Sequence, residues 1–317
     1  MPRSTAKFIS YDLRPAKQSE RRILIDLLSI GGDCGLPINT YRYVGMGANR
    51  FYDYLLLHKY LGINKMVSLE HDQKMFLRAE FNAPYKFIEV KQLTSAAFIS
   101  GDLNVDPTIY WLDYDGGIGQ HLVKDIISLS PKLKQGDFCF VTVSGTPPGA
   151  IDKSSDEERL IFLHENLPEV SGACSIEDVE RSNFPDAVHK ILIATFKNAF
   201  AQRRDGRFVP FLQVEYADSQ PMVTVGGAFL SDGQALNMAS KVRIGLPFLD
   251  ANTTSLYEIR SLHLTERERA IFDRAVTSPK RRCVERNALM KLGFKDIEID
   301  AYKDLVRYLP RYVETMV

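Results

Sequence analysis

The strongest constraint on the fold is a regular alternation of apolar runs and helical patterns between residues 41 and 145. Short apolar runs predict strands, and they lie at residues 41–44, 65–72, 85–90, 109–112 and within 134–145. Segments with helical spacing separate most of these runs, at residues 49–61, 73–81 and 119–133. Strands that alternate with helices indicate an α/β fold, in which helices cover both faces of a parallel sheet.

The pattern changes after residue 145. Residues 186–204 predict one long helix, because their apolar side chains recur at helical spacing. Two apolar runs follow, "FVPFLQVEYADS" and "PMVTVGGAFLSD", and they meet at Gln220 and Pro221. So short a connection predicts an antiparallel hairpin. The remaining residues, 234–317, show mostly helical patterns and predict a helical C-terminal extension.

We therefore expect three parts in the chain. Residues 1–40 form an N-terminal arm and a helix, which Gly31 and the glycines after it should end. Residues 41–233 form a Rossmann-like, doubly wound domain that binds a cofactor, and residues 234–317 form the helical extension.

Charge and cysteine content exclude several classes of protein. The 40 Lys and Arg residues balance the 40 Asp and Glu residues, so any contact with nucleic acid needs a local basic patch. The four cysteines form no CxxC pair, which excludes a zinc ribbon and argues against a disulfide framework. The six histidines form no ligand motif, and no metal site is expected. Reduced cysteines, no signal peptide and no apolar run of roughly 20 residues predict a cytoplasmic protein.

A glycine turn follows the first predicted strand, in the stretch "YRYVGMGANRF". Gly45, Met46 and Gly47 lead to Asn49, a residue type that tolerates a left-handed backbone. A strand, a glycine turn and a helix start let the backbone approach a ligand closely and offer N–H groups to it. The turn indicates either a site for a polar or anionic cofactor or two glycines at an ordinary strand end.

The second predicted strand ends in charge, at Glu70 and His71. Glu70 follows Gly47 by 23 residues (70 minus 47). In doubly wound sheets, an acid about 20 residues past the glycine turn accepts hydrogen bonds from ribose hydroxyls. This spacing favours the binding interpretation of the turn. His71 either lines the same pocket or is a turn residue.

Two aspartates follow the fourth predicted strand, in "YWLDYDGG". Asp113 and Asp115 leave the carboxyl end of this strand, where ligands of such sheets collect. Two acids at this spacing could orient a substrate, accept a proton or hold a divalent cation through their oxygens. The alternative is an Asp-rich turn that caps the next helix. Trp111 is expected to pack in the core.

The C-terminal region carries a local excess of positive charge. Residues 259–295 hold ten Lys or Arg and four Asp or Glu, a balance of +6 (10 minus 4). Lys280, Arg281 and Arg282 are its densest part. The segment is either a solvated face or a docking surface for nucleic acid or an acidic protein.

The order of elements from residue 41 to about 232 resembles the class I S-adenosylmethionine-dependent methyltransferases, whose sheet ends in a reversed last strand. "VGMGANRF" is similar to the first motif, in which glycines pass under the methionine part of the cofactor. "SLEHD" is similar to the second motif, in which the acid holds the ribose. "YWLDYDGG" takes the place of the fourth motif, which faces the methyl group and the acceptor. "LKQGDFCFVTV" resembles the run that leads into strand five.

This sequence departs from the family pattern at several positions. Tyr43 stands where the family often has an acid, and Asn49 replaces the third glycine. "DYDG" is not the tetrad of the amino-methyltransferases of nucleic acids; it is closer to the Asp-x-Asp of metal-dependent O-methyltransferases. Those enzymes also use an Asp-Asn pair, which "VSGTPPG" lacks. The acceptor therefore stays open at this point.

The resemblance implies S-adenosylmethionine as the cofactor. Its implied contacts are Gly45, Met46, Gly47, Asn49, Glu70, His71 and Asp113. It further implies that Asp113 orients the acceptor, that Asp115 is a base or metal ligand, and that Tyr114 is a pocket wall. Two alternatives remain open. The chain could be a degenerate Rossmann-like module that scaffolds a complex or binds nucleic acid or a protein partner. It could instead be another nucleotide- or NAD-binding enzyme.

Overall fold

The computed structural model describes residues 14–47, 49–101, 106–249, 255–262, 264–278 and 284–310. In these stretches the strands are β1 Arg42–Gly45, β2 Lys65–Leu69, β3 Ile88–Lys91, β4 Thr108–Gly117, β5 Phe138–Ser144, β6 Arg207–Ala217, β7 Pro221–Leu230 and β8 Tyr257–Ile259. They form one sheet in the order β3-β2-β1-β4-β5-β7-β6-β8.

The described helices alternate with the first strands and then follow the hairpin. They are α1 Pro15–Asp33, α2 Tyr52–Leu61, α3 Gln73–Asn82, α4 Ser95–Ser100, α5 Gln120–Leu129, α6 Asp156–Asn166, α7 Phe184–Phe200, α8 Asp232–Gly245, α9 Glu266–Thr277, α10 Val284–Lys291 and α11 Asp296–Leu305. Within the described stretches, no helix is both long and apolar enough to cross a membrane.

The first five strands are parallel to one another, which confirms the predicted doubly wound sheet. In its centre, Val44 of β1 pairs with Val67 of β2 on one side and with Tyr110 of β4 on the other. The chain builds outward from β1 in both directions, so the strand order reverses between β1 and β4. A crevice forms beyond the carboxyl ends of the strands at such a reversal.

The predicted hairpin is confirmed and supplies the reversed strand of the sheet. β7 runs antiparallel between β5 and β6, with Phe138 of β5 opposite Ala228. The structure adds β8, which pairs in parallel with the end of β6. This strand lies in a region for which the pattern predicted mostly helix. Three residues are too few to show a strand period, and only pairing with β6 makes them a strand.

Both faces of the sheet are buried, as the apolar runs predicted. Along β4, Ile109 and Trp111 face the layer that contains α1 and α8, whereas Tyr110 and Leu112 face the layer of α5 and α7. Successive side chains of a strand point to opposite faces, which explains this division. The helices α9 and α11 bury apolar side chains in the same cluster as α1 and β1, namely Phe272, Ala275, Ile299, Tyr302 and Leu305.

Two helix boundaries differ from the prediction. The first helix does not stop at Gly31 but continues to Asp33, and Gly35 follows in the left-handed region with φ of 91°. Gly31 is a packing glycine, because a Cβ there would lie 3.1 Å from the ring of Phe138. The second helix begins at Tyr52 rather than at Asn49, because Phe51 has a left-handed backbone that a helix cannot include.

The fourth strand also extends beyond its predicted end at Leu112. β4 continues to Gly117, with Asp113 opposite Thr142 of β5 and an irregularity between Asp113 and Gly117. Asp and Gly are poor strand formers, so the local pattern predicted a turn. Pairing with β5 holds them extended instead. The side chain of Asp113 is thereby fixed by the sheet, not by a loop.

Candidate functional site

The carboxyl ends of β1, β2 and β4 form the notch at which the candidate site lies. Gly45, the last residue of β1, pairs with Ser68 of β2 and with Trp111 of β4. Glu70 lies two residues beyond Ser68, and Asp113 lies two residues beyond Trp111. Strands are spaced about 4.8 Å apart, so the two acids stand roughly 10 Å from each other across the end of β1. The fold thus brings together the glycine turn, Glu70 and Asp113.

The glycine turn has a strained backbone at its end. Gly47 donates its N–H to the hydroxyl of Ser68 at 3.1 Å, and Phe51 donates its N–H to the carbonyl of Gly47 at 3.1 Å. Phe51 has φ of 54° and ψ of 29°, a left-handed conformation that costs a bulky residue about 1–2 kcal/mol. Its side chain is only 1% exposed, and this burial offsets the cost.

Both glycines of the turn are required by the protein's own aromatic rings. A Cβ at Gly45 would lie 2.5 Å from the hydroxyl of Tyr43, and a Cβ at Gly47 would lie 2.8 Å from the rings of Phe51 and Tyr54. The two glycines therefore have a packing cause that does not depend on a ligand. Contact of Gly45 and Gly47 with a cofactor stays a prediction.

Asn49 and Met46 lie in the same turn and are partly buried. The side-chain amide of Asn49 donates to the sulfur of Met75 at 3.9 Å. Its Oδ1 is buried and accepts no hydrogen bond from the described residues. A buried acceptor without a donor is unfavourable, and one beside a ligand site is satisfied when a ligand brings an N–H or O–H group. Asn49 is thus a point at which a polar ligand fits the turn.

Glu70 lies at the rim of the notch, with its side chain 16% exposed. Its Oε1 accepts the N–H of Asp72 at 3.0 Å and stands 3.6 Å from Nδ1 of His71. In the described part of the chain, no hydrogen bond reaches Oε2 of Glu70, so this oxygen can accept from a ligand hydroxyl. The side chain of His71 is 75% exposed. Contact of His71 with a cofactor stays a prediction.

The three predicted residues of the fourth strand do not share one face. Asp113 points toward α1, whereas Tyr114 points toward α5 and donates to Oδ2 of Asp125 at 2.6 Å. Burial and this hydrogen bond raise the pKa of Tyr114. The structure therefore separates Tyr114 from Asp113, and the ring of Tyr114 packs against His121 at 5.6 Å.

Asp115 lies at the mouth of the notch on the same side as Asp113. The residue as a whole is exposed. Reduced hydration of its carboxyl, then repulsion from Asp113 and from Glu70, raise the pKa of Asp115. The rim of the notch is accordingly acidic. Among the described residues, no group of three or more His, Cys, Asp and Glu side chains is arranged to hold a metal ion.

Charged residues of α1, which the sequence interpretation missed, complete the site. Nζ of Lys17 lies 2.8 Å from Oδ2 of Asp113 and 2.8 Å from Oε2 of Glu20. Arg21, one turn further on, pairs through Nε with the carboxylate of Asp53 in α2. We call these five residues the α1 cluster. All but Asp113 are at most 8% exposed, and the side chain of Asp113 is 25% exposed.

The sequence held a signal for the α1 cluster. Lys17, Glu20 and Arg21 stand at positions i, i+3 and i+4, and the same helical face continues with Leu24 and Leu28. Charges that continue an apolar face are buried when the helix packs, and buried charges need partners. Their partners lie far along the chain, and the local pattern could not name them.

A chain of hydrogen bonds leads from Glu20 into the sheet. Nε1 of Trp111 donates to the hydroxyl of Thr142 at 2.9 Å, and this hydroxyl lies 2.7 Å from that of Thr224. Thr224 in turn donates to Oε1 of Glu20. The start of α1 is fixed as well, because the N–H groups of residues 16 and 17 donate to Asp218 at 2.9 and 3.0 Å. Trp111 is buried, as predicted, and is also a donor in this chain.

The electrostatics of the α1 cluster favour a charged Lys17. Burial by itself lowers the pKa of Lys17, but attraction to Asp113 and then to Glu20 outweighs it, and the pKa stays well above its usual value. Its ammonium also lies 4.7 Å from the ring of Trp111 and 5.4 Å from that of Tyr216. Burial raises the pKa of Glu20, and Lys17 partly offsets this rise.

Other features lie away from the notch. A cleft of about 280 Å³ is lined by Arg42, Lys65, Phe87 and Asp106, among others, and therefore opens at the opposite, amino edge of the strands. It contacts none of the α1 cluster. The predicted basic docking residues, Lys280, Arg281 and Arg282, lie outside the described residues.

The sequence matches the family described as putative O-methyltransferase over residues 9–317. No curated protein matches it. Among solved structures, the N-methyltransferase NodS from Bradyrhizobium japonicum WM9 in complex with S-adenosyl-L-homocysteine is 8% identical, with 69% of this chain and 89% of that chain covered and a TM-score of 0.40.

Two further solved structures are similar to parts of the chain. A variant of LepI, in complex with S-adenosylhomocysteine and a substrate analogue, is 9% identical over 60% of this chain and 43% of that chain, with a TM-score of 0.35. An S-adenosylmethionine-dependent methyltransferase from Mesorhizobium loti is 13% identical over 34% of this chain and 47% of that chain, with a TM-score of 0.28. The alignment thus spans less than half the length of these two relatives.

Proposed function

The chain belongs to the putative O-methyltransferase family, and we propose accordingly that it transfers a methyl group from S-adenosylmethionine to a hydroxyl group of its acceptor. The membership confirms the predicted methyltransferase resemblance. When bound, the cofactor supplies a methyl group that is already activated on a sulfonium. The residues of the protein then have three tasks: to bind the cofactor, to orient the acceptor and to receive one proton.

Two residues support the cofactor assignment. Glu70 lies at the rim of the notch, and its Oε2, which receives no hydrogen bond from the described residues, suits a ribose hydroxyl. Oδ1 of Asn49 is a buried acceptor without a donor in the same part of the structure and suits a second polar group of the cofactor. Each oxygen would receive a hydrogen bond on binding. Met46 would then line the notch between them.

The single observation that carries the proposal is the position of Asp113. The sheet places its carboxylate across the end of β1 from Glu70, and Lys17 holds Oδ2 at 2.8 Å. Because Oδ2 is occupied and a quarter of the side chain is exposed, Oδ1 is the oxygen that can accept a hydrogen bond from an acceptor hydroxyl. Asp113 is therefore the residue that orients the acceptor and receives its proton. Asp115 at the rim is assigned to the acceptor side of the notch.

Calorimetric titration with S-adenosylmethionine tests the proposal. Glu70→Gln should weaken binding about 10- to 100-fold, because a hydrogen bond to a charged group contributes about 1.5–3 kcal/mol. Glu89→Gln is the matched control, since Glu89 has a 63% exposed side chain on β3 and pairs with Lys91. It should bind the cofactor as the unmodified protein does.

The same titration separates the rival functions. No binding of S-adenosylmethionine by the unmodified protein would contradict the proposal and favour a scaffold that has lost its cofactor. Tight binding of NAD in its place would favour another nucleotide-binding enzyme. Recruitment of a partner by Lys280, Arg281 and Arg282 and a cytoplasmic location remain predictions from the sequence.

A further inference from the structure

The sheet ends on one side in a strand with a free edge. In the described part of the chain, β3 is the last strand on this side and pairs with β2 alone. The carbonyls of Phe87 and Lys91 accept N–H groups from β2 and the residue after it, at 3.4 and 3.0 Å. The N–H and C=O groups of a strand point to alternate sides from one residue to the next, so the even-numbered residues direct theirs outward. We call residues 88–92 the β3 edge.

The outward backbone groups of the β3 edge complement each other about Val90. Ile88 offers its carbonyl, since its N–H already donates to the carbonyl of Tyr85 at 3.1 Å. Val90 offers both its N–H and its carbonyl, for which the described residues supply no partner, and Gln92 offers its N–H. An identical strand that runs antiparallel, with Val90 opposite Val90, would therefore form hydrogen bonds between the two valines. Each Gln92 would also donate to the Ile88 carbonyl of the other copy.

The exposed side chains on either side of Val90 have opposite charges. The side chain of Glu89 is 63% exposed and that of Lys91 is 35% exposed, and the two pair with each other at 3.1 Å. In an antiparallel pair centred on Val90, Glu89 of each copy stands opposite Lys91 of the other, and opposite charges at facing positions attract. A charge on an edge strand usually keeps identical strands apart, because like charges meet. Here the change of sign between Glu89 and Lys91 replaces that repulsion with attraction.

The helix beside the β3 edge exposes apolar side chains. α3 leads into β3 and buries Ala79 in the same apolar cluster as Ile88. One turn apart on its outer side, Leu77 is 57% exposed and Phe81 is 88% exposed. A two-fold axis through the valine pair runs normal to the sheet, so α3 of both copies lies on the same face of the joined sheet. A second copy therefore brings more apolar surface to a helix that exposes its own, and exposed apolar patches are typical of protein contacts.

We propose that the β3 edge is a homodimer interface, at which β3 of a second copy pairs antiparallel about Val90 and continues the sheet across both chains. A two-fold interface needs a surface that complements itself, and both the hydrogen-bonding groups and the charges of the β3 edge do so about one residue. The interface also lies one hydrogen bond from the candidate site, because the carbonyl of Lys91 accepts the N–H of Glu70 at 3.0 Å. The inference does not depend on the proposed function.

Sedimentation velocity of the intact protein tests the interface. The unmodified protein should change from monomer to dimer between about 1 and 100 μM, where weak specific complexes form. Lys91→Glu places an acid opposite Glu89 at both charge pairs and should weaken dimerisation at least about 10-fold. Glu89→Lys together with Lys91→Glu restores both attractions and should return dimerisation to within about 3-fold of the unmodified protein. Lys197→Glu is the matched control, since Lys197 is an exposed lysine on α7.

Disulfide formation tests the register of the two strands. In the proposed pair, residues 89 and 91 of different copies face each other without hydrogen bonds between them, with Cα atoms about 4.5 Å apart. This separation suits a disulfide. A mixture of Glu89→Cys and Lys91→Cys proteins should therefore form a covalent dimer that a reductant reverses. Either variant alone should form much less, because its two introduced thiols do not face each other.

Each outcome has a distinct meaning. A monomer at every concentration overturns the inference and leaves the proposed function standing. A dimer that Lys91→Glu does not weaken, or that the double reversal does not restore, overturns it as well, because the contact then lies elsewhere. Equal covalent dimer in the mixture and in either cysteine variant alone refutes the register. Thermal melting shows whether each variant is folded, and if Lys91→Glu is not, the disulfide experiment decides.

Discussion

Removal of the Thr224 hydroxyl should show how much the buried hydrogen bonds between Trp111, Thr142, Thr224 and Glu20 stabilise the protein. Thr224 is 0% exposed, lies 2.7 Å from the hydroxyl of Thr142 and donates to Glu20. Thr224→Val keeps the branched shape but deletes a hydrogen bond to a carboxylate, which contributes about 1.5–3 kcal/mol. It also removes the hydrogen bond between the hydroxyls of Thr142 and Thr224, at a further cost of about 1 kcal/mol. We expect a loss of roughly 3 kcal/mol in the free energy of unfolding.

Urea denaturation at neutral pH measures this loss as a shift of the midpoint at constant slope. Unfolding entropy is about 2.1 cal/mol/K per residue, so for 317 residues the same loss lowers Tm by roughly 4–5 °C. Thr195→Val is the matched control. Thr195 is also 0% exposed, but its hydroxyl donates at 2.7 Å to the carbonyl of Ile191 within its own helix, and its replacement should cost less than about 1 kcal/mol.

A double-mutant cycle shows whether the charge of Glu20 is responsible. In the Glu20→Gln background, Thr224→Val loses only a neutral hydrogen bond and should cost at least about 1 kcal/mol less. Equal costs of Thr224→Val in the unmodified and the Glu20→Gln background would refute a contribution of the Glu20 charge to this hydrogen bond.

The remaining predictions concern packing and thiol reactivity. Gly45→Ala should destabilise the fold by about 1–3 kcal/mol, because its Cβ would lie 2.5 Å from the hydroxyl of Tyr43. Adding Tyr43→Phe to this variant should recover part of the lost stability in urea denaturation. If no stability is recovered, the hydroxyl of Tyr43 is not the source of the clash. Burial raises the pKa of Cys174 to about 11, so iodoacetamide should not modify it in the folded protein near neutral pH, as peptide mass mapping would show. Rapid modification of Cys174 before unfolding would contradict its burial.

Sequence patterns were sufficient to predict the type of sheet and to place the candidate residues at one edge of it. Alternation of strand and helix patterns predicts parallel strands, and the carboxyl ends of parallel strands meet at one edge. Gly45, Glu70 and Asp113 were therefore expected together, and the register of β1 with β2 and β4 places them there. The short link at Gln220 and Pro221 predicted the hairpin, because no crossover fits in it.

Local backbone geometry could not be predicted as well from the sequence pattern. Phe51 ends the glycine turn in a left-handed conformation, and this delays the start of α2. Nothing in a bulky aromatic residue predicts such a conformation, since the burial of its ring is what compensates the strain. The pairing of Asp113 with Thr142 likewise keeps β4 extended where Asp and Gly residues predicted a turn.

The groups that complete the site became visible only in the folded chain. Lys17 meets Asp113 across 96 positions of the chain (113 minus 17), and Thr224 meets Glu20 across 204. Contacts so distant in sequence leave no periodic signal, although the charges on the apolar face of α1 indicated that partners must exist. The separation of Tyr114 from Asp113, in contrast, has a local cause, because neighbouring side chains of a strand point to opposite faces of the sheet. Only the packing of α1 and α5 on those faces decides which residues each side chain contacts.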